Sequence, residues 1–118
     1  MHCVADLAMK SAWVLLLIAA AACSSPQKDA QDAKDSAASW ASTGATLASE
    51  WSHGHVTDGY TRSTAKVALE EVKKLTDLDA PPRDAQLRAW SALERAAEQH
   101  DRNAGTELAR AFQALAKP

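Results

Sequence analysis

Residues 30–53 read AQDAKDSAASWASTGATLASEWSH. Ala30, Ala33, Ala37, Trp40, Gly44, Leu47 and Trp51 follow one another at alternating steps of three and four, the spacing of one stripe along an α-helix. Trp40 and Trp51 are about three turns apart, so both indoles belong to that stripe. The other faces carry Ser, Thr, Asp and Lys, residues of middling helix propensity, so this helix depends on packing for its stability. His53-Gly54-His55 closes it, because glycine is the residue that most readily takes the left-handed turn after a helix.

The same reading continues toward the C-terminus. Thr57 is a helix cap and Asp58 suits the positive end of the helix it opens. That second helix is predicted to run to about Leu78, with Tyr60, Thr64, Val67, Ala68, Val72, Leu75 and Leu78 facing inward. Pro81-Pro82 interrupts the chain and starts a third helix, where proline is tolerated in the first turn. There Leu87, Trp90, Leu93, Ala97 and His100 mark the inner face. Asn103–Gly105 reads as a turn, and Leu108, Phe112 and Leu115 as the stripe of a short last helix. No stretch alternates with period two, so no sheet is expected. Short connections favour antiparallel neighbours. The predicted fold is all-α: an up-and-down helical bundle of three long helices plus a short C-terminal helix, spanning residues 30–118.

Upstream of the bundle, residues 23–29 read as a polar tether containing Pro26. Before it lies an apolar run, Ala12–Ala22, introduced by Lys10. This run is about half of the ~20 residues that a membrane span requires. It fits the roughly 7–15 residues of a signal-peptide core, so residues 1–22 are expected to be a cleaved signal. Residues 1–8 contain Asp6 and no Lys or Arg, which suits a signal poorly, and translation is expected to begin at Met9. Cys3 would then never be made.

The end of the run, Ala20-Ala21-Ala22-Cys23-Ser24-Ser25, resembles the lipobox of bacterial lipoprotein precursors, in which small residues precede an obligatory cysteine. Ala20 stands where that family most often has Leu, and the same three alanines fit the A-x-A pattern of ordinary signal cleavage and secretion. The resemblance implies a covalent lipid on Cys23 (a diacylglycerol thioether, usually with a further acyl chain such as palmitate) and stable anchoring by two or more chains. Ser24 after the cysteine resembles the class sorted, in Gram-negative cells, to the periplasmic face of the outer membrane. It covers residues 9–25 alone.

Cleavage removes one acid, Asp6, and one base, Lys10, so the formal net charge stays at −2. Acids and bases are interspersed without a basic stripe, which excludes nucleic acid as the expected partner. With Cys3 and Cys23 accounted for, no disulfide is expected. The chain carries no G-x-S-x-G, no Gly-rich phosphate loop and no H-E-x-x-H, so no catalytic residues and no enzyme activity are expected. The metal-ligating candidates are His53 and His55, with His100 or Asp58 as a third ligand, but metal sites usually show three or four ligands at recognised spacing. The bland reading, a polar turn, is preferred, with no cofactor beyond the lipid. Trp40, Trp51 and Trp90 are candidates for a partner-binding surface, since Trp is enriched at interfaces, although such a stripe is more often core. The expected function is a lipid-anchored interaction or adaptor module of the cell envelope, held to the membrane by its lipid and engaging an envelope protein or a second copy. The alternative is a periplasmic ligand- or metal-binding module.

Overall fold

In the computed structural model, which describes residues 26–117, four helices follow one another: α1 (Pro26–Ser52), α2 (Asp58–Lys73), α3 (Ala80–Glu98) and α4 (Ala104–Ala116). Among the described residues there is no strand, and no helix is long and apolar enough to cross a membrane. The signal segment and Cys23 lie outside these residues. The chain divides at Asp32 into two units. Of the first, residues 26–32 are described; they are the opening turns of α1, with Lys28 and Asp32 paired at 3.6 Å. The second begins at Ala33 and holds the bundle.

The start of α1 corrects the expected tether, because residues 26–29 are already helical. Proline at the first helical position lacks only an N–H that would be unsatisfied there anyway. Nothing after Pro26 breaks the helix before Gly54.

Contacts along α1 establish the topology. Ala37 and Trp40 meet Gln86 and Trp90 in that order, so α1 and α3 run parallel. Gly44 faces Phe112 while Ala48 and Ser52 face Gly105, so α4 runs antiparallel to α1. Lys66 reaches Glu94 from α2 to α3 at 4.0 Å. The bundle is therefore up-and-down, as the sequence predicts.

Its interior is built from a few large side chains set among alanines. Trp51, Trp90, Phe112, Leu93 and Val72 are fully enclosed. The Trp90 ring tilts against Phe112 at 4.6 Å and meets the edge of Trp40 at 6.2 Å, both favourable aromatic geometries. Ala41, Ala48, Ala65 and Ala68 are enclosed as well, and such small residues let the helix backbones approach closely. A second, smaller apolar cluster joins Ala33, Ala37 and Leu78, with Leu75 against it. Between the two, buried Gln86 donates from Nε2 to the Ala37 carbonyl. The Gly44 site is the closest approach: a Cβ there would lie 2.5 Å from the Phe112 ring.

Three expectations about faces and ends change. In α2 the buried residues are Thr61, Ala65, Ala68 and Val72, while Tyr60 and Val67 are 59% and 55% exposed. Ala68, Val72 and Leu78 of the predicted stripe are buried, while in the first turns Thr61 and Ala65 take the inner positions expected of Tyr60 and Thr64. Helix α2 also stops at Lys73, short of Leu78. Residues 74–78 form successive tight turns in which Leu75 N–H donates to the Val72 carbonyl and Leu78 N–H to that of Leu75. Thr76, Asp77 and Asp79 are poor helix formers, and Leu78 is still buried from this non-helical segment. Finally, His100 does not face inward. It follows the end of α3 in a left-handed conformation, φ 57°, with its side chain exposed.

Candidate functional site

The ends of α1 and α3 and the start of α2 meet in a polar junction. After α1, Gly54 is left-handed (φ 79°); its N–H donates to the Trp51 carbonyl and that of His55 to the Glu50 carbonyl. This pair of bonds is the Schellman stop, which satisfies carbonyls that the helix end leaves open. Thr57 caps α2, its hydroxyl accepting from Tyr60 N–H at 3.0 Å. Asp58 in the first turn is the centre of the junction. Its Oδ1 accepts from buried Trp51 Nε1 at 2.7 Å, its Oδ2 from His100 Nδ1 at 2.5 Å, and Arg102 Nε lies 3.5 Å away. The His100 hydrogen bond, then the Trp51 N–H, then the Arg102 charge hold the Asp58 carboxyl well below its ordinary 3.8, at about 2, against the opposing effect of partial burial.

Each of the three candidate histidines makes one hydrogen bond, through Nδ1. His53 Nδ1 donates to the Ser49 carbonyl at 2.7 Å, and His55 Nδ1 donates to Glu50 Oε2. Their rings stack 5.8 Å apart. His100 donates to Asp58. Among the described residues no group of three or more His, Cys, Asp or Glu is placed to hold a metal. The segment His53-Gly54-His55 is a turn, and the structure supplies its hydrogen bonds.

The tryptophans separate. Trp51 and Trp90 are enclosed in the core, so neither offers a face to a partner, and among the described tryptophans only Trp40, half-buried against Trp90, reaches the surface. Cys23, the predicted lipidation site, lies outside the described residues.

A groove of about 470 Å³ lies between α1 and α2. Ser39, Ser42, Thr43 and Thr46 line it from α1, and Tyr60 and Thr64 from α2. Leu47 and Val56 add apolar surface, and Glu50 stands at the end nearest the turn. Ser and Thr in helices commonly turn their hydroxyls back onto carbonyls of the preceding turn. Ser52 and Thr61 do so here, to Ser49 and Thr57. No such bond ties the Ser39, Ser42, Thr43, Thr46 or Thr64 hydroxyl to another described residue. Sequence reading passed over this groove because its α1 wall is the polar back of the helix. The one available signal was that this back carries hydroxyls where most solvated faces carry charges. The role of Asp58 was also hidden, since its partners are distant along the chain.

No protein-family model, no curated protein and no solved structure matches this chain.

Proposed function

We propose that the protein is a lipid-anchored interaction module of the bacterial cell envelope, attached through Cys23 and engaging its partner on the α1–α2 face. The anchor rests on the lipobox-like Ala20-Ala21-Ala22-Cys23. The observation that carries the choice of face is the exposure of Tyr60, which lines the groove, and of Val67, one turn beyond Thr64 on the same helix, in a bundle whose other described Leu, Val, Phe and Trp side chains are buried or partly buried. Exposed apolar side chains grouped on one face mark an interaction site more often than scattered ones. The module lies at the periplasmic side of the outer membrane if the host is Gram-negative, by the sorting class that Ser24 resembles.

Two measurements test this reading. Wild-type protein labelled with palmitate should fractionate with membranes, and Cys23→Ser should lose both label and sedimentation. Unlabelled, soluble wild-type protein would replace the anchor with simple secretion. A photo-crosslinking residue at position 67 should give discrete adducts in intact cells, whereas the same residue at Gln113, exposed on α4, should not. Equal crosslinking from both positions would remove the assignment of the face. A second reading, ligand binding in the periplasm, is favoured by the unspent hydroxyls of the groove.

A further inference from the structure

From the α1–α2 groove we infer a binding site for a neutral carbohydrate. This inference takes the proposed interaction face and names the chemistry of its occupant; it does not depend on the lipid anchor. The volume of about 470 Å³ lies within the range of small-molecule sites, ~300–1,000 Å³. Its walls carry hydroxyls that both donate and accept, and a polyol presents the same dual groups along its length. Five of them, those of Ser39, Ser42, Thr43, Thr46 and Thr64, make no bond to another described residue, so a ligand would displace water and not protein contacts.

The remaining lining narrows the class. Tyr60, 59% exposed, offers an aromatic ring at the groove wall, against which the C–H face of a sugar ring can lie. Leu47 and Val56 extend that apolar surface. Glu50 has one oxygen held by His55, and Oε1 remains to accept from adjacent ligand hydroxyls. No Lys or Arg lines the groove, and a carboxylate does, so phosphate and other anions are disfavoured. A wholly apolar ligand is disfavoured too, since it would bury those hydroxyls unpaired.

The experiment uses the full chain purified in a sugar-free detergent and titrated with chitotriose, cellotriose, maltotriose and, separately, inorganic phosphate. Amide shifts are followed by NMR. Saturable shifts within residues 39–50 and 56–64 are expected with at least one trisaccharide and not with phosphate. Tyr60→Phe should keep the affinity and Tyr60→Ala should weaken it by about tenfold. The double variant Thr43→Val and Thr46→Val, which keeps shape and removes two hydroxyls, should weaken it similarly, with helicity checked by circular dichroism. Retention on insoluble chitin or cellulose together with the matching trisaccharide response assigns the ligand to a polymer; a trisaccharide response alone assigns it to a free sugar. Absence of saturation with all three sugars overturns the inference, as does undiminished affinity in the double Val variant. Adducts from position 67 without any sugar response would leave the interaction face standing and overturn the carbohydrate.

Discussion

Helices α1 and α3 end in the same backbone motif built from different residues. At the end of α1 the left-handed position is Gly54, which adopts φ 79° without steric cost. At the end of α3 it is His100, with N–H of His100 donating to Ala97 and that of Asp101 to Ala96. A side chain in that conformation costs about 1–2 kcal/mol. What His100 gains in exchange is its ring on Asp58, which binds the end of α3 to the start of α2 and, through Trp51, to α1. The first stop is cheap and local. The second is strained, and its side chain connects three helices. A helix end can thus be chosen for its backbone or for what its side chain reaches.

Both stops rest on Trp51, and the largest effect is expected there. Trp51→Ala should destabilise the fold by about 3–5 kcal/mol, the range for losing a buried large aromatic. Denaturant unfolding measures it, and a loss under about 1 kcal/mol would mean that the junction stands without its common support. Next comes the glycine stop. Gly54→Ala should cost about 1–2 kcal/mol through its backbone conformation. A contact contributes as well, since the new Cβ would lie 3.2 Å from the Arg102 guanidinium.

The histidine stop allows a sharper comparison. His100→Gly relieves the backbone and forfeits the Asp58 contact, while His100→Ala forfeits the contact and keeps the strain. The alanine variant should therefore be less stable than the glycine variant by about 1 kcal/mol. Equal stability of the two would show that the left-handed conformation of residue 100 carries no cost.

The smallest effect is confined to acid. The Asp58 carboxyl is held at about 2, below its ordinary 3.8, so folding favours its charged form. The stability it contributes is fully present above about pH 4 and is lost as pH falls through about 2. Thermal melts between pH 5 and pH 2 should decline more steeply for the wild type than for Asp58→Asn. Parallel declines would remove Asp58 as the acid-sensitive link.

The contrast between the two stops also explains what could be read from the chain alone. Gly54 is visible because glycine itself is the signal for a left-handed turn. His100 carries no such mark, and its regular spacing from Trp90, Leu93 and Ala97 suggested an inward-facing residue. The all-helical bundle followed from the three-and-four stripe of α1, of which Ala33, Ala37, Gly44, Leu47 and Trp51 are buried and Ala30 and Trp40 partly so. The same logic found Ala68, Val72 and Leu78 but misplaced the first turns of α2, where Tyr60 and Val67 outweighed Thr61 and Ala65 in apparent hydrophobicity. A stripe of small residues is faint in a sequence and becomes legible only when a neighbouring backbone lies against it. The groove depends on two helices and on side chains left outside both stripes, so neither pattern points to it.

Gly44 has a consequence for alignment. Ala33, Ala37, Ala41, Ala45 and Ala48 give α1 a similar small profile at every turn. By themselves such alanines offer little resistance to a slide of one turn, about 5.4 Å, which Leu47 and the Asp58-bonded Trp51 on the same helix oppose. Gly44 interrupts the uniformity as a notch that admits the Phe112 ring. One turn on stands Ala48 and one turn back Trp40, and neither leaves the same room. The Gln86 amide works alongside as a pin, since a slide would carry the Ala37 carbonyl away from it. Buried polar contacts are best attested in this role of selecting one register among near-equivalent ones. A filled notch would therefore do more than lower stability: it would remove one of the features that, with Gln86 and buried Trp51, hold the helix in a single position against its neighbours.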